Sequence, residues 1–574
     1  MRFRARELTG PGGKAAVNGL VIAFAGHNRA EDLGDLAALE RQVQTAFTLV
    51  ATDDSVLLTG LAEGADTMAV SAWNERGLGE VHAVLPYLDS APPEALLGKA
   101  SITTYLDGGD AEAAGRSAHL MQTRWLLEDA DLLVAVWTGE NGRGAGGTAD
   151  AVRIALERGT PVLWIKAGKD DGLKLISPGA LDADFGFLEF LEQLEHERPT
   201  LIIPASAEAL AALLNKPRLS IGDPEPSRSL SQLLLRLWED LQDCTIWRAF
   251  ALYRRLMGGA RPMAHLPIVP PESLANEPGF QTLTRAYLSL DARASRLAAI
   301  HRSQQVFQAT VMIVAVAVGA APAVWPGIKI YAVLIELALA LITFLVWVSA
   351  VHSERSRRWG EARRQAEQLR LERAAWALGL STRDDRSVAK TGLAAQLARA
   401  WRRRAGAPTG RFDRERVQAW GGWVLDDLIY GQLEYHRVQG HINHRLAHRG
   451  HAIENVVFWL LVALLVGFVA AYVVAHRLHV ELPHWVGGVV ILAGAVTPAF
   501  GAASLALDAA LAFSDQARRS DTMRHSLQAI AESAQPRATL ATMQRAARTA
   551  IGLQLSQEDG WVDEAAHRHV VRGG

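Results

Sequence analysis

Two long apolar runs in the middle of the chain constrain its fold more than any other feature. They occupy residues 305–351 and are separated by Pro322, Pro326 and Gly327. Each run has about 20 residues, the length that a helix needs to cross the hydrocarbon core of a bilayer. Helices of soluble proteins are rarely apolar on every face for this long. The sequence therefore predicts a hairpin of transmembrane helices at about 305–325 and 328–351.

A second pair of apolar runs repeats this arrangement and predicts transmembrane helices at about 455–475 and 485–513. The flanks are also similar: RLAAIHR precedes the first pair, HRLAHRG precedes the second, and a basic helix is predicted after each. A repeated order of features indicates an internal duplication. Arginines crowd the outer flanks and leave both turns nearly uncharged, so we expect both turns outside the cell and both termini in the cytoplasm.

Two carboxylates, Glu336 and Asp508, fall inside the predicted spans. Charges inside a membrane are costly and usually face the interior of a helix bundle or water. Both residues are therefore candidates for a pore lining. The alternative for Glu336 is a protonated or hydrogen-bonded side chain between helices.

The composition sets further bounds. The 574 residues leave room for several domains, and 49% of them are hydrophobic. The formal net charge of −2 gives no reason to expect nucleic acid as a partner. Cys244 is the only cysteine, which excludes a disulfide within one chain and a thiolate metal cluster. The histidines at 436, 441, 444, 448 and 451 have a spacing that can hold a metal or sense pH, but no carboxylate except Glu454 completes a site. We therefore expect solvated or interfacial histidines and predict no metal site.

The first 215 residues alternate between strand and helix patterns. Strands are predicted at 20–26, 55–60, 80–86, 130–137 and 161–165, with amphipathic helices between them. Such alternation predicts an α/β domain with a doubly wound parallel sheet. Ligands of these sheets bind beyond the carboxyl ends of the strands.

Three glycine-containing loops lie at those strand ends. They are GHNR (26–29), GLAEGAD (60–66) and GRGAGGT (142–148). Glycine lets the backbone approach a ligand, and amides at a helix start attract phosphate. We therefore predict a nucleotide or nucleoside phosphate as ligand, with Thr148 as helix N-cap and phosphate ligand. His27 could instead be a capping side chain.

The segments VIAFAGHNR, LLTGLAEGADTMA and GRGAGGTADA resemble the three loops of the SLOG superfamily. That superfamily has Rossmann-like domains related to the LOG phosphoribohydrolases and to the N-terminal domains of TRPM channels. The resemblance implies a ligand pocket lined by Gly26, His27, Arg29, Gly60, Glu63, Gly64, Asp66, Gly144, Gly146, Gly147 and Thr148.

One departure from that family bears on catalysis. The LOG enzymes carry Pro-Gly-Gly-x-Gly-Thr-x-x-Glu with a catalytic glutamate, whereas here no proline opens the loop and Ala151 stands at the glutamate position. We therefore expect a sensor rather than an enzyme and assign no catalytic residue or cofactor. Glu63 or Asp66 could still supply a carboxylate, so a membrane-anchored nucleotide hydrolase stays open as an alternative.

The string Arg363-x-x-Ala366-Glu367-x-Leu369-Arg370, after two membrane helices, resembles the SLATT family of two-helix membrane modules. The resemblance implies membrane effectors of bacterial conflict systems that form pores. We expect a connector at 216–280, modules at 281–400 and 425–550, a basic loop at 401–424 and a tail at 551–574. The connector contains an amphipathic helix at 231–257, which we expect to pack on the sheet domain or on a partner. Its arginines could instead lie on anionic headgroups: Arg236, Arg248, Arg254 and Arg255.

Together these features predict a multi-pass sensor-effector of the bacterial inner membrane. A nucleotide second messenger or NAD-derived small molecule would bind the sheet domain, and the membrane helices of a homo-oligomer would form or gate a pore in anti-phage defence. A nucleotide-regulated ion channel or transporter is a further alternative.

Overall fold

The computed structural model describes residues 19–87, 92, 94–106, 114–140, 146–169, 171–178, 202–214, 248–258, 268–352, 355–382, 393–533 and 539–570. In these ranges a largely parallel sheet is followed by a mostly helical region, which confirms the predicted succession of an α/β part and a helical part.

The sheet has nine strands in the order β8-β7-β6-β5-β1-β2-β3-β4-β9. Only β7 runs antiparallel to its neighbours. The strands are β1 (Val21–Gly26), β2 (Val56–Thr59), β3 (Val81–Leu85), β4 (Ile102–Tyr105), β5 (Leu132–Trp137), β6 (Val162–Lys166), β7 (Leu173–Ile176), β8 (Ile202–Pro204) and β9 (Gly410–Arg411).

The five strands expected from the sequence are present, but β4, β7, β8 and β9 were not predicted. These strands have two to four residues each, too few to carry a clear apolar pattern. β9 pairs with β4 at Tyr105 although about 300 residues separate them. The sheet therefore extends beyond the predicted 1–215 domain.

Seven helices accompany the sheet in the described residues. They are α1 (Ala30–Leu33), α2 (Leu36–Val50), α3 (Ala65–Glu75), α4 (Glu94–Leu97), α5 (Ala114–Glu128), α6 (Thr148–Glu157) and α7 (Ala207–Leu214). α2 and α3 bury Val43, Phe47 and Trp73 on one face of the sheet. From β1 the chain moves toward β4, whereas the crossovers that contain α5 and α6 move in the opposite direction across the sheet. Because such crossovers are right-handed, α5 and α6 cover the other face.

The helical region consists of α8 (Ala249–Leu256), α9 (Glu272–Ala275), α10 (Pro278–Ala320), α11 (Lys329–His352), α12 (Arg355–Ala377), α13 (Leu393–Ala405), α14 (Arg414–Leu425), α15 (Gly431–Leu478), α16 (His484–Leu511), α17 (Phe513–Ser533) and α18 (Leu540–Val570). A π-helical segment, Asp426–Tyr430, joins α14 to α15. Two units have the same order: a long helix, a short link, an apolar helix and a helix that packs back on the long one, α10–α12 and α15–α17.

Among the described residues, four helices are long and apolar enough to cross a membrane, which confirms the predicted number and indicates a membrane protein. α10, with 43 residues, is roughly 65 Å long at 1.5 Å per residue, so it extends well beyond a bilayer core. The hairpins meet where Gly488 of α16 approaches Ala323: a Cβ on Gly488 would lie 2.2 Å from the Ala323 carbonyl oxygen.

The predicted basic loop at 401–424 is wrong, because most of it is helical. α13 runs through Ala405 and buries Leu397 and Ala398, and α14 starts at an Asp413 N-cap whose carboxylate accepts the Arg416 amide at 2.8 Å. The basic residues misled the prediction because some of them pair with carboxylates of other segments; Arg402, for example, is buried and binds Asp129 and the fully buried Glu372. In the segment predicted as a tail, 551–574, α18 continues through Val570.

The helical region packs directly on the α5/α6 face of the sheet. A row of aromatic rings connects them: Trp125 of α5 contacts Phe412 (centroids 5.1 Å apart), Phe412 contacts Trp420, and Trp420 stacks on Trp376 of α12. The turn after α12 fits because Gly379 has no side chain: a Cβ there would lie 2.1 Å from the Trp125 ring. The sheet and the extramembrane helices therefore share one hydrophobic core.

Candidate ligand-binding site

The carboxyl ends of the parallel strands bring the predicted loops to one edge of the sheet. From β1 the chain moves through β2, β3 and β4 to one side, whereas from β5 it moves to β6 on the other side. The switch point therefore lies between β1 and β5, which pair up to Gly26 and Val136. In open parallel sheets the crevice at this point is where ligands bind.

His27 and Thr138 bridge that switch point. The Thr138 backbone amide donates to His27 Nε2 at 3.1 Å, and the Thr138 hydroxyl lies 3.3 Å from the same nitrogen. Because Nε2 accepts from an amide, a neutral ring carries its proton on Nδ1. The His27 side chain thus accepts a backbone amide at the end of β5, and it does not cap α1, which has no side-chain cap hydrogen bond. Thr138 was not predicted, and only its place after a buried strand could have indicated it.

Two of the predicted glycines serve close packing at this edge. A Cβ on Gly26 would lie 2.3 Å from the Ala65 Cβ, and one on Gly64 would lie 2.8 Å from the His27 carbonyl oxygen. Gly64 also has a φ of +91°, which favours glycine. The Ala65 amide donates to the His27 carbonyl at 3.2 Å, so the start of α3 is tied to the end of β1.

Asp66 fills the loop after β2 from inside. Its carboxylate accepts the Thr59 hydroxyl at 3.1 Å and the Ala62 amide at 3.3 Å, and the residue is 5% exposed. Burial raises the pKa of Asp66 to about 7, against the lowering effect of these hydrogen bonds. The Asp66 carboxyl group therefore takes the Ala62 amide, which an anion bound in this loop would otherwise contact. The structure thus places Asp66 in the wall of the edge and not on its surface.

Glu63 and Arg29 lie on the exposed surface of the same edge. Arg29 is 3.6 Å from Glu31, with side chains that are 59% and 70% exposed. An exposed pair of this kind is weak and leaves the guanidinium group able to turn toward a ligand.

The third loop ends at the start of α6, where some amides have no acceptor among the described residues. Gly146 packs against α5 with a φ of +84°, and its amide donates to Asp150 Oδ2 at 2.8 Å. Gly147 is the N-cap of α6, so the predicted capping role of Thr148 is wrong; Thr148 is the first helical residue. Within the described ranges the amides of Gly147, Thr148 and Ala149 have no protein acceptor. Residues 141–145, including Gly144, lie outside the described residues.

Gln122 of α5 is a further residue at this edge that sequence reasoning missed. Its Nε2 donates to the Val84 carbonyl at 2.7 Å, and its Oε1 lies 3.3 Å from His119 Nδ1. A Cβ on Gly60 would lie 2.8 Å from Gln122 Nε2, so Gly60 makes room for this amide. The spacing of three between His119 and Gln122, which puts both polar side chains on one face of α5, was the available signal.

The far end of α6 is bonded to the helical region. Arg158, the residue after α6, donates to both oxygens of Glu128, at 3.0 and 2.5 Å. Glu128 also accepts the backbone amide of Ser381, just after α12, at 3.1 Å, and it pairs with Arg548 of α18. One buried carboxylate therefore joins the helix that starts at the candidate site to two extramembrane helices.

The two predicted intramembrane carboxylates are not brought together. Glu336 of α11 lies against Gly319, next to the hairpin turn. Asp508 lies one turn before the opposite end of α16, where Ser514 donates to its Oδ2 at 3.4 Å. Because α16 begins beside that same turn, the two side chains lie at opposite ends of the apolar helices.

The residues that suggested a membrane module pack between the two units. Ala366 and Leu369 of α12 are fully buried. Arg370 pairs with Glu367 at 2.5 Å and with Asp427 of the π-helical segment at 3.4 Å. Burial would raise the pKa of Glu367, but Arg370 and Arg363 outweigh it and lower that pKa to about 2. These residues fix α12 to the start of α15.

Comparison of the chain with models of protein families, with curated proteins and with solved structures finds no match.

Proposed function

We propose that this chain is a membrane-embedded sensor-effector. A phosphate-bearing, nucleotide-derived ligand binds at the switch point of the sheet, and binding opens or assembles a pore formed by the apolar helices. The observation that carries the proposal is the open start of α6 beside the His27–Thr138 bridge. Free amides at a helix start, together with the positive end of the helix dipole, favour an anion there.

The contrast between the two helix starts at this edge supports an anion at α6 in particular. In the loop before α3 the Asp66 carboxyl group accepts the Ala62 amide, and the first amide of α3, that of Ala65, donates to the His27 carbonyl. Before α6 the Asp150 carboxylate likewise accepts the Gly146 amide, but the amides of Gly147 and Thr148 have no acceptor in the described residues. A phosphate at α6 would leave the rest of the ligand in the crevice between β1 and β5, within reach of Arg29.

Coupling to the membrane follows from the position of α6. The helix is about 15 Å long. It starts at the candidate site and ends at Arg158, which Glu128 links to the turn after α12. α12 follows α11, one of the apolar helices. A ligand that shifts α6 would therefore act on the first hairpin through bonded groups.

The pore itself we place between copies of the chain. α11 packs chiefly on α10, through the side that carries Ala332 and Glu336, and exposes most of its remaining surface. A homo-oligomer would bring several such helices together. The resemblance to SLOG sensors and SLATT effectors supports the nucleotide-derived ligand class and a role in anti-phage defence at the bacterial inner membrane, with both termini in the cytoplasm.

Binding is tested on the full-length protein, because the sheet shares its core with the helices. Thermal unfolding is followed with cyclic di- and trinucleotides, ADP-ribose variants and NAD. Two variants form a matched pair: Gly147→Asn and Gly147→Asp both supply a favoured N-cap, but only aspartate adds negative charge to the α6 start. We expect a ligand-induced rise in Tm in the wild type and in Gly147→Asn that is lost in Gly147→Asp.

Gating is tested with the same protein in dye-loaded liposomes. Ligand should release dye through the wild type and through Gly147→Asn, but not through Gly147→Asp. Equal leakage with and without ligand would contradict gating. A ligand-induced rise in Tm that is equal in both Gly147 variants would contradict a phosphate at α6.

A further inference from the structure

The short helix α8 lies where the apolar helices end on the side of the sheet. The Phe250 amide donates to Ser303 Oγ of α10 at 3.2 Å. Phe250 and Tyr253 stack on Phe513, with centroids 6.5 and 6.4 Å away. The inner face of α8 therefore packs on α10 and on the junction of α16 and α17; residues 231–247 of the predicted amphipathic helix lie outside the described residues.

The charge pattern places this contact at the edge of the apolar region. No charged residue occurs in α10 after Arg302, and Asp508 is the only Asp, Glu, Lys or Arg in α16. Ser303 follows Arg302 directly, and Phe513 lies five positions beyond Asp508. α8 thus packs at the level where both helices change from polar to apolar, the depth of lipid headgroups if these helices span a bilayer.

The outer face of α8 mixes leucine and arginine. Leu252 is 58% exposed and Leu256 is 77% exposed, and Arg248 and Arg255 are exposed on the same side. These positions follow the helical spacing of three and four residues, so they form one stripe. Arg254, next to Arg255, adds a further cationic group beside this stripe; burial, and then Arg255, lowers its pKa.

We propose that α8 is an interfacial helix that binds anionic phospholipids. Leu252 and Leu256 enter the boundary between headgroups and acyl chains in the leaflet nearer the sheet, and Arg248 and Arg255 contact lipid phosphates. Apolar residues alternating with arginines on one face are the pattern of helices that lie in the interface plane. Arginine side chains extend from such a face to the headgroups while their stems cover apolar surface.

This interaction surface is separate from the ligand site at the sheet edge. It would hold the parts of α10 and α16 that contact α8 at a fixed depth in the bilayer. α12 could then move relative to these two helices. The proposal does not depend on the identity of the ligand or on pore formation, and its test uses neither.

The test measures depth with spin labels on the full-length protein in liposomes. Cys244→Ser first removes the only cysteine, and Leu252→Cys, Leu256→Cys and Leu36→Cys then give single labelling sites. Leu36 is a matched control because it is 49% exposed at the start of α2, on the sheet. We expect labels at 252 and 256 to collide several-fold more with oxygen than with an aqueous nickel chelate, and the label at 36 to show the reverse.

Two results would overturn the interfacial position. Labels at 252 and 256 that are as open to the chelate as the label at 36 would place α8 in water. Labels shielded from both reagents would mean that protein covers the stripe.

The lipid charge is tested at position 252 in vesicles of phosphatidylcholine with and without phosphatidylglycerol. We expect a shallower label without phosphatidylglycerol, and Arg255→Gln should give the same loss in the anionic vesicles. Arg41→Gln, which removes an exposed arginine of α2, should change nothing. Equal depth in both vesicle types would overturn the preference for anionic lipid.

Discussion

The two faces of the sheet are covered in different ways. On one face, α2 and α3 come from the crossovers between neighbouring strands, and the contact is apolar, with Phe47 and Trp73 edge to face at 5.1 Å. On the other face, α5 and α6 are covered in turn by helices from the remote part of the chain. That second contact contains buried charges, among them Glu128, Arg158 and Arg402.

The difference indicates what each face does. A local, apolar face stabilises the sheet by itself, since its burial needs no other part of the chain. Buried charges contribute little net stability but are strongly sensitive to loss of a partner, so they fix one arrangement. The α5/α6 face is therefore the one through which a change at the ligand edge would reach the membrane helices.

The largest effect is expected from Glu128→Ala. It removes the carboxylate that Arg158, Arg548 and the Ser381 amide share, which should cost about 3–5 kcal/mol in the free energy of unfolding. Glu157→Ala is the control, because its pair with Arg153 is largely exposed and should contribute under about 1 kcal/mol. Chemical denaturation of the full-length protein in detergent measures both. Similar losses of free energy of unfolding in the two variants would mean that the buried Glu128 carboxylate contributes no more to stability than an exposed ion pair.

Gly379→Ala should come next, at about 3 kcal/mol. The added Cβ meets the Trp125 ring, which costs roughly 1–3 kcal/mol as overpacking, and the φ of +65° adds about 1–2 kcal/mol of backbone strain. Gly406→Ala separates these causes, since Gly406 has a φ of +67° and nothing within 4 Å of an added Cβ. Cross-linking between the sheet and α12 should fall only in Gly379→Ala. An equal loss in the free energy of unfolding in both variants would mean that backbone strain alone causes the effect.

A smaller effect, seen as a dependence on pH, is expected for Asp66. Its folded-state pKa of about 7 lies above the ordinary value, so its contribution to stability is largest below about pH 4 and falls as pH rises toward 7. Between pH 5.5 and 7 the free energy of unfolding should drop by roughly 2 kcal/mol. Asp66→Asn should remove this slope, which denaturation at the two pH values tests. Parallel wild-type and variant curves would show that the carboxyl group titrates in its ordinary range.

The smallest effect is expected from Thr148→Val, which keeps the size of this buried side chain and removes only its hydroxyl group. Because Gly147 and not Thr148 caps α6, the change should alter the free energy of unfolding by less than about 0.5 kcal/mol. Loss of a capping hydroxyl would instead cost about 1 kcal/mol. Thermal unfolding without ligand distinguishes the two values. A loss of unfolding free energy near the higher value would show that Thr148 caps α6, as the sequence suggested.

The loops at the candidate site were predictable in position but not in detail. Gly26, Gly60, Gly64 and Gly146 follow buried strands in the sequence, and parallel strands must bring their ends to one edge. Whether a loop is open or filled depends on side-chain direction. Asp66 turns inward because the hydrogen-bond donors Thr59 and Ala62 face it, and a pattern of residue types does not record that direction.

By itself, the sequence determined the elements whose signal is local and long. Four apolar helices and five strands follow from runs of apolar residues, because the hydrophobic effect acts on each run wherever it lies in the chain. Only the tertiary structure decided which surfaces meet. The two-residue strand β9, the fit of Gly379 on Trp125 and the shared carboxylate of Glu128 join segments hundreds of residues apart. Such contacts depend on shape and charge matching in space, and neither leaves a periodic signal in the chain.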